Sequence, residues 1–358
     1  MARRNPRGRR PPPEPTTRLA ATPSRVRTPP IPKEPLAPEP GRWLWTCRAG
    51  FEAQLYEELA WRRAHARILG EALLESNALT GDPPTFARMG FRVAAVVSAP
   101  TEANAALPTS PVKVQVWVPD TDRGNARGGQ ATAWEATLTS LRRDLGDLDT
   151  PWKAFEAGAS LAQVCLFDSG RAAVGCVRAR EAISLAAGGR ARMKKASNSP
   201  SRSAMKLDEA FEWYGVAPGS GDLCVDLGSA PGGWTRRLVE RGARVWSVDP
   251  AKLAPELAAH RRVKHFQGNA FEFEPGEAVD WLCCDMAWRP LEVAQLLGKW
   301  GRRGWARQLV ANLKLPMQDK MPTVARVRSV LEEAGWKHVR IRQLYHDRDE
   351  VTVTARHA

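Results

Sequence analysis

Residues Cys224–Trp234 read CVDLGSAPGGW, an apolar run that stops at a loop carrying Gly228, Gly232 and Gly233. Glycine between a strand and a helix removes the side chain that would keep a ligand away from the backbone. The spacing is Gly-x-x-x-Gly-Gly, whereas a dinucleotide loop needs Gly-x-Gly-x-x-Gly and a phosphate loop needs Gly-Lys-Ser/Thr, so neither of those sites is present. Asp249 closes the next strand pattern, about 20 residues after the first glycine, where a carboxylate can accept hydrogen bonds from both ribose hydroxyls of an adenosine. Asp226 lies inside the first strand end and is placed to orient the loop. A nucleoside without a pyrophosphate fits this combination, and S-adenosylmethionine is the common cofactor of that kind.

The elements that must hold this loop alternate. From Lys206 the chain runs LCVDLG, GGWTRRLVERG, ARVWSVD, PELAAHRR, VKHFQG, VDWLCCD, PLEVAQLLGKW, QLVANLKL, TVARVRSVLEEAG, HVRIRQL and EVTVTAR. Strand and helix patterns in turn predict an α/β unit, 204–358, with a mainly parallel sheet covered by helices on both faces and ligands at the carboxyl ends of the strands. Before it, 41–187 reads as an α+β domain: strand-like WLWTC, helical FEAQLYEELAWRRAHA, then strands in FRVAAVVSA, VKVQVWVPD, LAQVCLF and AAVGCVRA. Residues 188–203 form a basic, serine-rich linker, read either as a hinge or phosphate-contacting strap or as a plain solvated connector. Residues 1–40 hold twelve prolines and nine Lys/Arg with little to bury, which predicts a disordered, locally extended tail.

The chain has 358 residues and a net charge of +14, and it stays basic when the tail is set aside, which favours a polyanionic partner such as nucleic acid. No apolar stretch approaches the roughly 18 residues needed to span a bilayer, and no secretory signal is visible, so cytoplasm is the expected compartment. Six cysteines, Cys47, Cys165, Cys176, Cys224, Cys283 and Cys284, show no metal-ligand spacing and read as buried thiols, with no metal expected. Trp45, Trp117 and Trp134 could stack on unpaired bases, but core packing is the better reading.

The segments SRSAMKLDEAF, VDLGSAPGGWT, VWSVD, CCDM, NLKLPM and RQLYHDRDEVTV resemble those of the FtsJ-like methyltransferases, and within them the bacterial 23S rRNA (cytidine-2′-O)-methyltransferases of the RlmM type. The resemblance is strong over 201–356, weaker but collinear over 43–180, and does not include 1–40. It implies a Rossmann-like S-adenosylmethionine-dependent domain with a mostly parallel seven-stranded sheet, preceded by a THUMP-like RNA-binding domain. The implied activity is 2′-O-methylation of one cytidine ribose in the peptidyl-transferase region of 23S rRNA. Apart from the resemblance, a monomer is expected because no symmetric interface is readable in the sequence, with the rRNA met before or during large-subunit assembly. The implied cofactor contacts are Ser203, Gly228, Ala230, Pro231, Gly232, Gly233, Asp249, Asn269 and Asp285. At Asn269 the family pattern has aspartate, bound to the adenine amino group. An Asn carbonyl can still accept that hydrogen bond without charge, so weaker cofactor binding is expected, not its loss.

The same resemblance supplies a Lys-Asp-Lys-Glu set at Lys206, Asp285, Lys314 and Glu350. A ribose hydroxyl is a poor nucleophile until its proton is removed, so methyl transfer needs a positioned base. Lysine titrates near 10.4 and serves as a base near neutral pH only if burial or a like charge lowers that value. The expected roles are Lys314 as base, Lys206 as its electrostatic neighbour, Asp285 as an orienting carboxylate, and Glu350 as the partner of Lys206 and the ribose. Bland readings stand beside these: a strand-capping Lys314, a surface Lys206, a solvated Glu350, and a polar turn at His346-Asp347. An idle Asp285 among apolar neighbours would be costly.

Other chemistries fit less well. A nicotinamide enzyme lacks its glycine loop, and CDMAWRP is neither the Asn/Asp-Pro-Pro-Tyr motif of amino methylation nor a nucleophilic-cysteine loop. An RNA base methyltransferase, or a non-catalytic RNA-binding assembly protein that keeps the fold, remains as an alternative.

Overall fold

The computed structural model describes residues 26–108, 112–142, 151–191 and 203–357. The expectations for the first 25 residues of the tail and for 192–202 of the basic linker lie outside them.

The front part contains β1 (Trp43–Thr46), α1 (Glu52–Trp61), β2 (Arg67–Gly70), β3 (Leu73–Ser76), β4 (Met89–Val97), α2 (Pro100–Ala106), β5 (Val112–Trp117), α3 (Asp122–Asn125), α4 (Gly128–Leu141), α5 (Pro151–Glu156), β6 (Ser160–Asp168) and β7 (Arg171–Arg178). Its seven strands form one sheet in the order β2-β3-β1-β4-β7-β6-β5, antiparallel except for the β5–β6 pair. Two features depart from the sequence pattern. The hairpin β2–β3 escapes it because all four residues of β3 are buried, so no alternation marks the strand. The helical pattern from Phe51 to Ala66 stops at Trp61: Arg63 and His65 take left-handed φ of 56° and 48°, and Ala64 N closes on Leu59 O at 3.0 Å.

The rear part contains α6 (Ser203–Tyr214), β8 (Leu223–Leu227), α7 (Gly233–Glu240), β9 (Arg244–Asp249), α8 (Pro255–Ala258), β10 (Val263–Gln267), β11 (Val279–Cys284), α9 (Pro290–Arg303), β12 (Ala306–Lys314), α10 (Lys320–Glu333), β13 (Lys337–Arg342) and β14 (Glu350–Arg356). The order is β10-β9-β8-β11-β12-β14-β13, with β14 running against its neighbours and the first five strands parallel. This is the α/β Rossmann-like arrangement that the alternating pattern predicts. Strand β8 is buried along its whole length, as strands covered on both faces must be, which explains its unbroken apolar run. Helix α9 shows how helices are read from sequence: Pro290 opens it, Gly304 follows it at φ 61°, and Val293, Leu297 and Trp300 recur at helical spacing on the buried face. The chain moves outward from β8 to β10 and then returns to β11, so the carboxyl ends of β8 and β11 flank the crevice where ligands bind in such sheets.

The two parts share a core. Phe51, Leu55, Leu59 and Phe86 belong to one apolar cluster with Leu315, Met321, Val324 and Val351, and burying each such side chain stabilises the fold by about 1.5–3 kcal/mol. Polar contacts follow the same seam. Gln343 N donates to Thr85 O at 2.8 Å, Arg88 Nη2 to Tyr345 O at 3.3 Å, and Arg342 Nη2 to Arg88 O at 3.1 Å.

The end of the proline-rich tail is not free of the front sheet. Leu36 N donates to Leu69 O at 2.8 Å and Glu39 N to Glu75 Oε2 at 2.9 Å, so extended backbone finds partners even where few side chains can be buried. Gly188 and Gly189, at the start of the linker, are buried against Trp117 and Arg88. Trp45, Trp117 and Trp134 lie in the core, with indole N–H groups donated to Ser76 Oγ from Trp45 and to Gln163 Oε1 from Trp117, both at 2.8 Å. Five of the six cysteines are buried and Cys176 is half-buried, all as free thiols.

Candidate active site

The glycine loop lies at the carboxyl end of β8. Gly228 has φ +78°, and a Cβ there would stand 2.8 Å from Met286 Cγ; Gly232 has φ +119°, and its Cβ would stand 2.2 Å from Leu257 Cδ1. The left-handed backbone at both positions favours glycine, and at Gly228 the Met286 backbone, with Cα at 3.2 Å, adds a steric reason. Asp249, at the end of β9, accepts from Ala230 N at 3.1 Å through Oδ2 and from Ala251 N at 2.7 Å through Oδ1. Each oxygen keeps a further lone pair for a ligand. The carboxylate thus organises the loop as well as facing it, a task that spacing alone does not reveal. Pro231 O accepts from Ala254 N at 3.0 Å, and Gly233 begins α7. Ser203 begins α6, and its carbonyl accepts from Trp234 Nε1 at 2.9 Å, which ties α6 to the loop.

Beneath the loop, buried Asp226 accepts from Thr235 Oγ1 at 2.7 Å, and Thr235 in turn meets Ser247 Oγ at 2.8 Å. Burial pushes the Asp226 carboxyl up to about 7, against the Thr235 hydrogen bond, with the charges of Asp285 and Asp249 acting in the same direction as burial. Asp226 Oδ1 and Ser229 Oγ are buried with no hydrogen-bond partner among the described residues. A glycine turn at the carboxyl end of β8 that keeps polar atoms in reserve fits a nucleoside-type cofactor. Asn269, after β10, is less open than its residue type suggests: Oδ1 accepts from Phe271 N at 3.0 Å and Nδ2 donates to Glu272 Oε1 at 3.0 Å.

Lys206, Asp285, Lys314 and Glu350 come from four elements and meet beside the loop. Strand register does most of this. Lys314 ends β12 directly opposite Glu350, which begins β14, and Cys284 pairs with both Leu227 and Ala311, so Asp285 follows at the same level. Helix α6 buries Leu207, Ala210 and Phe211 and so delivers Lys206, whose Nζ donates to Glu350 Oε2. Both partners of this pair are 16% exposed. Burial raises the Asp285 carboxyl, opposed by the charge of Lys206. The side chain of Lys314 is exposed. The Lys206–Glu350 contact is the pairing expected from the sequence, and it places a carboxylate against the Lys206 ammonium.

A second layer lies behind these four. Asn312 on β12 is 2% exposed, donates to Glu350 Oε2 at 3.5 Å, and favours the charged form of the Asp285 carboxyl. Asp347, which reads as part of a solvated turn in LYHDRD, is buried and accepts from Leu344 N at 2.9 Å and Thr352 Oγ1 at 3.0 Å. Buried Glu209 accepts from Tyr345 N at 2.7 Å and His346 N at 3.0 Å, and it meets His346 Nδ1 at 2.8 Å. From the front part, Arg48 Nη1 donates to Asp347 O at 3.3 Å. The turn is polar, with Asp347 buried beneath it while Arg348 and Asp349 stay exposed. Alternation along β12 puts Asn312 on the Lys314 face, the one signal that sequence offered for it.

Burial pushes the Asp347 carboxyl up to about 7, with the Leu344 N–H and Lys206 opposing and Glu209 and Glu350 assisting. Its ordinary value is 3.8, so the folded state holds this proton where the unfolded chain has released it, and stability falls as pH rises from about 4 through about 7. At about 1.4 kcal/mol per tenfold change in proton affinity, this group removes on the order of 2 kcal/mol between pH 5 and pH 8. Urea unfolding at those two pH values is expected to show a smaller loss for Asp347→Asn than for wild type. An unchanged difference would contradict the assignment.

The family model described as FtsJ-like methyltransferase matches residues 200–299. Along nearly its full length the chain is similar to proteins named ribosomal RNA large subunit methyltransferase M. That of Alkalilimnicola ehrlichii is 36% identical over 349 residues, covering 88% of this chain and 94% of that protein. That of Halorhodospira halophila is 34% identical over 88% of this chain and 96% of that protein, and that of Shewanella sediminis 33% identical over 86% and 95%.

Proposed function

The chain belongs to the ribosomal RNA large subunit methyltransferase M family, and from that premise we propose that it transfers a methyl group from S-adenosylmethionine to the 2′-hydroxyl of a cytidine ribose in 23S rRNA. The observation that carries this reading is the convergence of two lysines and two carboxylates on the mouth of a glycine loop shaped for a nucleoside.

The cofactor supplies an electrophilic methyl carbon. Ser203, Gly228, Ala230, Pro231, Gly232 and Gly233 would form its cradle, Asp249 would accept from the ribose hydroxyls, and Asn269 and Asp285 would complete the contacts. Asn269 brings one remaining acceptor lone pair to the adenine side, which agrees with a weakened contact.

Lys314, as the free amine, takes the proton of the ribose hydroxyl as its oxygen attacks. The Lys206–Glu350 pair fixes the far wall of the site and offers the ribose a donor and an acceptor at once. Asp285 orients the reacting groups from the β11 end.

The front part, 41–187, acts as a THUMP-like RNA-binding domain in this reading, and the basic balance of the chain suits an rRNA partner. The enzyme acts in the cytoplasm as a monomer, on RNA before or during large-subunit assembly. Among the described residues, no helix is long and apolar enough to cross a membrane. The test is incorporation of labelled methyl into 23S rRNA lacking the modification, offered free or in assembled large subunits. Label in the free RNA that requires the enzyme is expected. Cofactor binding without any RNA labelling would favour the non-catalytic assembly protein.

A further inference from the structure

We propose that Asn312 is a positioning residue for methyl transfer: its side-chain amide bridges Asp285 and Glu350 and holds the two carboxylates apart in the geometry that keeps Lys206 paired and Lys314 aimed. This inference rests on the function proposed above. Four observations carry it. Asn312 is 2% exposed in the middle of the apolar run LVANL, where an apolar residue would need no partner. Its amide donates to Glu350 Oε2 at 3.5 Å, and its side chain lies close enough to Asp285 to favour that carboxylate's charged form. Its carbonyl oxygen is buried without a partner among the described residues, so the side chain holds an unused acceptor beside its donated bond. Finally, it lies on the same strand face as Lys314 and pairs across the sheet with Thr352, whose hydroxyl donates to Asp347.

Two like charges so close repel, and each favours protonation of the other. A fixed donor between them lowers that penalty from the buried strand, where Asn312 itself is 2% exposed. Lys206 neutralises from the helix side and Asn312 from the strand side. Without Asn312, Asp285 and Glu350 compete for Lys206, and the site loses the arrangement in which Lys314 is the one lysine free to act as base.

Asn312→Ala removes the donor and the orphaned oxygen together. It is expected to lower kcat by about 10- to 100-fold while the cofactor Kd, the KM for RNA and the melting temperature stay close to wild type. Asn312→Asp is nearly isosteric but places a third carboxylate beside the other two. Its kcat is expected to fall further at pH 8 and to recover relative to wild type as pH is lowered, when the new carboxyl is protonated and can donate. Wild-type kcat in Asn312→Ala, or losses that follow cofactor affinity or folding, would overturn the inference. So would an Asn312→Asp profile parallel to wild type. If wild type itself transfers no methyl group to ribose, the underlying function fails and this inference with it; a fully active wild type with indifferent Asn312 variants sinks this inference alone.

Discussion

Lys314→Ala is expected to lower kcat by about 10²- to 10⁴-fold, the span that a positioned general base contributes, with cofactor affinity unchanged. Lys314 stands at the end of β12 opposite Glu350 and is exposed, so its removal leaves no cavity and no buried charge, and the folded state should be indifferent to it. The informative companion is Lys314→Arg. Arginine keeps the positive charge and much of the length but cannot release its proton near neutral pH. If Lys314 acts as a base, arginine rescues nothing; if it acts only as a fixed positive charge, arginine restores most of the rate. Single-turnover rates with saturating cofactor separate the two, and a Lys314→Arg variant within a few-fold of wild type would contradict the base assignment.

The second large effect belongs to Asp249, and its signature is the opposite one. Asp249→Ala removes the acceptor proposed for the ribose hydroxyls and also the carboxylate that holds Ala230 N and Ala251 N. Hydrogen bonds to a charged group contribute about 1.5–3 kcal/mol each, so losing a pair of them is expected to weaken cofactor binding by about 10²-fold or more. Titration calorimetry reads this directly. At saturating cofactor, the rate should recover toward wild type, because Asp249 stands among the binding groups and touches no proton that moves. A normal affinity in Asp249→Ala, or a rate that stays low at saturation, would place the residue elsewhere in the mechanism.

The cofactor loop is legible in sequence because its chemistry is local. Gly228, Gly232 and Gly233 sit within one turn, and Asp249 lies one helix further on, so spacing alone narrows the ligand. The parallel sheet is legible for the same reason: buried strands such as β8 are continuous apolar runs, and helices such as α9 carry their own start and stop residues. The four catalytic candidates are different. They come from α6, the end of β11, the end of β12 and the start of β14, and they meet only because of strand order and the antiparallel entry of β14. Resemblance to a family supplies that information; periodicity does not.

What sequence hides is set by tertiary covering. Asp347 lies in HDRD, which any composition rule assigns to solvent, yet contacts from Arg48, Thr85 and Arg88 around that segment help to close it off. Asn312 looks like an interruption in an apolar strand until Asp285 and Glu350 are seen on either side of it. The hairpin β2–β3 fails to alternate because β3 is covered on both faces. The end of the proline-rich tail finds backbone partners at Leu69 and Glu75, which no local pattern encodes.

The central claim is the chemical position of the transferred methyl group, and alkaline hydrolysis of the labelled rRNA tests it most directly. Alkali cleaves RNA through attack by the free 2′-hydroxyl on the adjacent phosphate, so a 2′-O-methyl group protects the following linkage. The account predicts that the label is recovered in one alkali-stable dinucleotide beginning with cytidine, and that it is absent when Lys314→Ala replaces wild type. Label released in a mononucleotide would mean that a base had been methylated, and would contradict the roles given to Lys206, Asp285, Lys314 and Glu350.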